Sequence, residues 1–500
     1  MNEKPLVMKM RENYKFFGGM SFLYGIIFTF CLYKNMSGIT FPVCVITTIA
    51  FSILFLKKIN YQLKKYSGLY IAGMMLLSIS TVLTSSFFLH FFNLIGIVLL
   101  YFTFMIHQFY DDSKWNLPAY IKRIFILSGT ILGSMPYPYW HGSSYFNQIK
   151  DQKVNSNLVG ILVGILVAFC SLCVILPLLL KSDFIFAGIF GDFFKHIRFG
   201  EIFWIVLMIV LGFTLSYAFF CALCKYSFSE EKERKLRHFS PVIGITFTGI
   251  ISIIYIIYCA IQIIYLFARV QTKLPEGITY AEYARNGFWE LLFVSIINFV
   301  MVLVCMYIFS DNKVLKIILT VISGCTFIMT GSAGYRMVLY IGAYNLTFLR
   351  VLVLWFIVVL TFIMAGIIIT IYKENFRLFH YIMLIVSVFY IAFSFSRPDT
   401  MIAKYNIAHF DQMSSDEIYS NINYLIYSSS LDAAPELAKI DIKHLPLTED
   451  NMVEIDLEGY FEYISEENSE IDLRKINYSK IMAKHTADKW KEEHTEYSEY

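Results

Sequence analysis

The residues best suited to chemistry lie between Ser252 and Glu290. Ser252, Tyr255, Tyr258, Gln262, Tyr265 and Arg269 follow one another at steps of three and four, which places them on one face of an otherwise apolar helix. Next comes Thr279-Tyr280-Ala281-Glu282-Tyr283-Ala284-Arg285-Asn286-Gly287-Phe288-Trp289-Glu290, dense in charge and aromatic rings. Thr279 with Glu282 three residues on is a capping box, so a helix is expected to begin at Tyr280. On that helix Glu282, Asn286 and Glu290 share a face, and Arg285 can reach Glu282. Glu290 falls about one turn into the following apolar run, where an unpaired carboxylate is costly. Arg269, Arg336 and Arg350 are the cations that could neutralise it. Arg336, Tyr340 and Tyr344 again recur every four residues. Two readings of this polar cluster stay open. One is a structural set of charges locking helix ends together. The other is an outward-facing cavity that holds a polar headgroup or sugar through charge-assisted bonds.

Other chemistry is thinly represented. Cys170/Cys173 and Cys221/Cys224 have Cys-x-x-Cys spacing. The first pair belongs mid-span and the second at a span's inner end, about 18 Å apart in depth. Four ligands of one tetrahedral ion must lie within about 2.3 Å of it, so these cysteines are expected to pack in the core. Ten histidines show no ligand spacing. No P-loop, GxSxG, HExxH or dinucleotide fingerprint stands in a suitable context. No cofactor and no metal is expected, and whether the chain is an enzyme stays open.

The elements that must carry these residues are membrane helices. Of 500 residues, 57% are hydrophobic and only 16% charged, against about a quarter charged in soluble domains. The apolar residues come in runs of roughly 18–25, long enough to cross about 30 Å of hydrocarbon. They lack the alternation of barrel strands. The expected fold is therefore all-α: a polytopic transmembrane bundle over residues 1–396, followed by an acidic, partly helical, soluble tail over 397–500. The tail holds ten basic and 22 acidic residues, leaving 31 basic and 16 acidic before it. That positive charge belongs to loops on the cytoplasmic side, so no nucleic acid is expected as a partner.

Eleven spans are expected, with the N-terminus inside after Lys4, Lys9, Arg11 and Lys15. Ile121–Met135 is apolar but short, and reads as an interfacial or re-entrant helix ended by Pro136. Asp183–Arg198 reads as a second interfacial helix, and Glu230–Arg237 as a solvated turn of i,i+4 ion pairs. Asn298 is expected to bond across helices. A span over Val314–Gly331 is followed by Tyr335–Arg350, placed at the outer interface. If that segment crosses instead, there are twelve spans and the tail changes sides. Within the tail, Ser414-Ser415-Asp416-Glu417 starts a helix through Tyr427. Leu431–Ile440 and Ile476–Glu493 are further helices, and Ser465–Lys475 a flexible connection.

A series of short motifs occurs in one order. It comprises Ala260–Phe267, the Tyr280–Trp289 stretch, Arg336-Met337-x-x-Tyr340 with Leu346-Thr347-x-x-Arg350, Pro398-Asp399-x-x-Ile402-Ala403-x-Tyr405-Asn406, and Asn423-Tyr424-Leu425 with Leu431-Asp432-Ala433-Ala434-Pro435. Over about residues 155 to 440 the chain resembles a bacterial polytopic membrane protein family catalogued as a domain of unknown function. It departs at Asn345, where the family pattern has Gly, which puts the turn there in question. The resemblance implies a bacterial cytoplasmic membrane location and no assigned activity. Besides the lipid bilayer, the expected partner is an envelope component or partner protein, bound in a sensing or assembly role. The alternative is a membrane enzyme or carrier acting on a polar or lipid-linked substrate through Tyr280–Glu290.

Overall fold

The structure is a computed structural model that describes residues 4–112, 115, 117–150, 175, 182, 199–225, 239–264, 288–373, 376–441, 445–446, 456–467 and 472–495. Four expected features lie outside these residues: the span over 158–180 (Ile175 apart), the interfacial helix over 183–198, the charge cluster at 230–237 and the motif segment 265–287.

Every named element among the described residues is helical. The first set is α1 (Pro5–Glu12), α2 (Tyr14–Leu32), α3 (Thr40–Lys58), α4 (Ser67–Leu83), α5 (Phe87–Phe109), α6 (Leu117–Ser134), α7 (Tyr137–Lys150) and α8 (Phe199–Lys225). The second is α9 (Pro241–Gln262), α10 (Phe288–Ile308), α11 (Lys313–Tyr344), α12 (Phe348–Tyr372) and α13 (Leu378–Phe395). Nine of these, α2, α3, α5 and α8 through α13, are long and apolar enough to cross a membrane, and α4 is a shorter apolar helix. The chain is a polytopic membrane helical bundle.

Local signals set the helix ends. Asn312 caps α11 by accepting from the amides of Val314 (2.8 Å) and Leu315 (3.4 Å). Pro241 opens α9 after Ser240, whose hydroxyl accepts from Val242 N. Pro136 separates α6 from α7, so the helix expected over Ile121–Met135 is α6, starting earlier at Leu117 and ending at Ser134, with a second helix after the proline. The expected break near Gly331 is absent, because α11 runs through Gly331-Ser332-Ala333-Gly334 to Tyr344. Each glycine costs about 1 kcal/mol of helix propensity, but the helix is held from both sides by its packing on α9 and α12. Tyr335–Tyr344 is thus the last part of α11 and not a crossing of its own.

The first set shares one core containing Val7, Phe17, Phe55, Tyr70, Phe104 and Tyr217. Its tightest crossing is α2 on α8. A Cβ on Gly25 would lie 2.6 Å from Ile209 O, and one on Gly212 would lie 2.9 Å from the Gly25 Cα. The second set packs around Leu292, Cys325, Met329 and Ile357, and around Leu315, Ile322 and Met364. Helix α13 joins the sets by packing on both α12 and α4.

Helices α14 (Pro398–Ile407), α15 (Ser415–Tyr427), α16 (Ala434–Leu437), α17 (Leu457–Glu467) and α18 (Tyr478–Thr495) enclose their own core of Ile402, Ile422, Leu425, Phe461 and Ala483. The capping box forms, Ser414 N and Oγ both donating to Glu417 Oε2. The expected helix over Leu431–Ile440 is a 3-10 turn followed by α16, with Pro435 in its first turn. The expected flexible connection over Ser465–Lys475 is corrected at both ends, since α17 reaches Glu467 and Leu473–Lys475 forms a 3-10 turn. That turn is pinned to the bundle: Asn35 Nδ2 donates to Arg474 O (2.7 Å), and Ile39 N to Ile476 O (2.9 Å).

These contacts order the ends of the bundle. Loops 33–39, 84–86 and 345–347 lie at the end that carries α14–α18. The start of α2 and loop residues 59–66, 110–112, 373 and 376–377 lie at the opposite end, with the chain's Lys4–Lys15 segment. Gly25→Val or Gly212→Val should force α2 and α8 apart and cost about 1–3 kcal/mol. A melting curve in detergent checks this against Gly129→Val, where a Cβ meets nothing within 4 Å.

Candidate functional site

The polar face foreseen on α9 turns inward, against α10 and α11. Ser252 is buried. Tyr255 OH donates to Asn298 Oδ1 (2.7 Å), and Asn298 Nδ2 donates to Thr326 Oγ1 (3.0 Å). One turn higher Ser295 and Thr330 hydroxyls share a 3.3 Å bond. Above them Gln262 Oε1 accepts from Ser332 Oγ (2.7 Å) and from Arg336 Nη2 (3.5 Å). The result is a ladder of hydroxyls and amides inside the second helix set, ending in a guanidinium only 5% exposed. Such groups are satisfied by one another because hydrocarbon offers no alternative partner. Lys316 to Arg336 is about 30 Å at 1.5 Å per residue, the thickness of the hydrocarbon layer. Arg336 therefore lies about one hydrocarbon thickness from Lys316, at the end of the bundle that carries α14–α18.

The other foreseen residues divide. Tyr265, Arg269, Tyr280, Glu282, Tyr283 and Arg285 lie outside the described residues. Glu290 is exposed and pairs with neither Arg336 nor Arg350. Arg350 serves α11 instead: its Nη1 donates to the carbonyls of Tyr344 and Asn345, and its guanidinium lies 4.4 Å from the Tyr340 ring centroid. A cation on the orphan carbonyls of a helix C-terminus is favourable on charge as well as hydrogen bonding. The structure thus brings Gln262 to Arg336 and Tyr340 to Arg350, as two separate contacts. Asn345 follows at φ 65° and ψ −180°, a region essentially reserved for glycine. That explains why Gly is the expected residue there.

The motif residues after Pro398 act as fasteners. Asn406 brackets Leu346, its Nδ2 donating to Leu346 O and its Oδ1 accepting from Leu346 N, both at 3.0 Å. Tyr424 OH accepts from Phe348 N (2.8 Å). Asp399 accepts from Ser430 N and Oγ (3.2 and 2.6 Å), and its burial raises its pKa. Asp432, fully buried, accepts from Thr84 Oγ1 (2.5 Å), Ser85 N (3.0 Å) and Ser479 Oγ, with Arg397 Nη2 at 3.7 Å.

A second polar cluster, at the opposite end of the bundle, was not visible in the spacing of the histidines. Asp112, 4% exposed, accepts from His107 Nδ1 (3.0 Å), His380 Nε2 (3.1 Å) and the Tyr120 hydroxyl. Its members come from α5, the loop after it, α6 and α13, so no single-helix periodicity could bring them together. Both His107 ring nitrogens face acceptors only, Nε2 lying 3.0 Å from Lys65 O, the pattern an imidazolium satisfies. Burial opposes the Asp112 charge, but the bonds from His107, His380 and Tyr120 outweigh it and hold the carboxyl well below its ordinary range. Among the described residues no group of three His, Cys, Asp or Glu has the geometry to hold a metal ion.

Residues 71–440 match a family model described as a domain of unknown function, DUF4153. The match starts within α4, well before residue 155, and ends at the expected boundary. No curated protein and no solved structure matches the chain.

Two outcomes follow from these contacts. Asn345→Gly should relieve the backbone strain and stabilise the fold by about 1 kcal/mol, read as a raised melting temperature. Asp112→Asn should cost about 2 kcal/mol near neutral pH. The folded Asp112 has a depressed pKa, so its contribution is full above about pH 4 and fades as pH falls further. The gap in melting temperature between wild type and Asp112→Asn should therefore shrink below that pH.

Proposed function

The chain belongs to the DUF4153 family, and on that premise we propose that it is a multi-pass protein of a bacterial cytoplasmic membrane which binds an envelope component or partner from outside, in a sensing or assembly role. The observation that carries this reading is the buried Arg336, held by Gln262 at the head of a polar ladder. An ionisable residue inside a membrane bundle is a functional candidate by default. A planar guanidinium suits bidentate contact with a phosphate or carboxylate. The outside assignment of this end rests on charge. Lys57, Lys58, Lys64 and Lys65 join the basic N-terminal segment at the opposite end, as cytoplasmic loops do.

A photo-crosslinking amino acid at Glu290, irradiated in intact cells, tests the reading. The expected result is a discrete adduct that falls at least tenfold in Arg336→Gln and persists in Arg336→Lys, with both variants at wild-type membrane levels. An adduct indifferent to Arg336→Gln, or none, sinks the proposal. A cysteine at Tyr427, 71% exposed, should react on intact cells with a membrane-impermeant maleimide. Protection until the cells are permeabilised would reverse the sidedness.

A further inference from the structure

The first helix set contains a cavity of about 320 Å³ between α2, α3, α5 and α8. On α3 its wall runs from Phe41 to Phe51, ten residues or about 15 Å along the helix. Its lining is almost entirely side-chain hydrocarbon and aromatic ring, with Phe28, Ile49, Ile97 and Phe219 among its walls. Two further lining residues, Val98 on α5 and Leu215 on α8, are each 41% exposed on the outer surface of the bundle. The cavity therefore reaches the surface where the protein meets acyl chains. Helices α5 and α8 meet at its wall through Tyr101, Phe102 and Phe219, with ring centroids 4.9 and 5.6 Å apart.

The polar atoms of the lining decide what kind of occupant fits. Tyr24 OH and Thr48 Oγ1 share a 3.0 Å bond, and Thr48 also donates to Cys44 O. Tyr101 OH is bonded to Ser52 Oγ at 2.7 Å, and Ser216 Oγ donates to Phe213 O. Of the lining hydroxyls only Ser21 Oγ has no partner. A water needs two to four polar partners, and a polar solute would need more than one hydroxyl can supply. An apolar void left unfilled forfeits the dispersion contacts of its walls. Hydrocarbon of the bilayer is at hand to restore them.

We propose that this cavity is a binding site for one hydrocarbon chain of a membrane lipid, entering between Val98 and Leu215. The site is separate from the Arg336 ladder, and the two proposals stand or fall independently. A chain held there would touch α2, α3, α5 and α8 at once, adding dispersion contacts to the packing these helices already make with one another.

The test uses the whole protein in vesicles containing a phospholipid with a diazirine near the end of one acyl chain. After irradiation, labelled residues are mapped by peptide mass spectrometry. The expected pattern concentrates label on Phe41–Phe51, Leu94–Phe102 and Gly212–Phe220. It should exceed label on the lipid-facing flank around Phe22 at least fivefold. Leu94→Trp and Ser216→Trp, which plug the cavity from different helices, should each remove that excess, whereas Phe22→Trp should leave it intact. Label spread evenly over the bundle surface, or an excess unchanged in both plugged variants, overturns the proposal. So does labelling of the same peptides by a small water-soluble carbene precursor, which would show the cavity to be wet. The wild-type map is decisive even if a plugged variant fails to fold.

Discussion

The C-terminal helices α14–α18 are held to the bundle by a carboxyl group that water does not reach. Asp432 gathers Thr84 and Ser85 from the turn between α4 and α5, Ser479 from α18, and Arg397 from the junction of α13 and α14. A carboxyl group removed from solvent is tolerable only while such partners stay in place. Thr84 and Ser479, equally shut off from water, depend on it in turn. Around this point Asn477 Nδ2 donates to the carbonyls of Ser37, Thr81 and Thr84, and Asn35 reaches Thr40 and Arg474 O. Two hairpin turns of the membrane bundle are thereby closed by residues that lie more than 390 positions away in sequence.

Much of this architecture is legible in the chain because hydrocarbon is an unforgiving solvent. The long apolar runs, the capping box at Ser414–Glu417 and the cross-helix role of Asn298 could be read directly, since each depends on local pattern or on the cost of an unsatisfied polar group. The failures share a different cause. Nothing local distinguishes a glycine that ends a helix from one that lies within it, and so Gly331–Gly334 suggested a break in what is one rod of 32 residues. The Asp112 cluster joins residues 107, 112, 120 and 380, whose proximity is decided by packing alone.

The motif residues show how one spacing can conceal two kinds of role. Arg336 and Arg350 look equivalent in sequence, as the two arginines that bracket Tyr340 and Tyr344. In the fold one is a buried cation facing an amide and the other a clamp on a helix end. Likewise Asp399, Asn406, Tyr424 and Asp432 are spent on holding backbone and hydroxyl groups in place. Of the two arginines Arg336 is the buried one, and the proposed contact outside the chain rests on it.

Helix α13 has a mechanical consequence. On its α4–α6 side the specific polar bonds sit near its two ends: Ser394 with Asn93 and Ser80 at one, His380 with Asp112 at the other. Fourteen residues, about 21 Å of helix, separate these points, and the side chains between them are half-buried or exposed down to Phe393. Toward α12 the helix is tied in mid-length, by Trp355 Nε1 donating to Phe389 O (2.9 Å). The second helix set is thus hung on the first like a door on two pins. A swing about the line through those pins is latched at one end, because the C-terminal helices grip both sets: Asn406 and Tyr424 hold Leu346 and Phe348 of the second, and Asp432 holds Thr84 and Ser85 of the first.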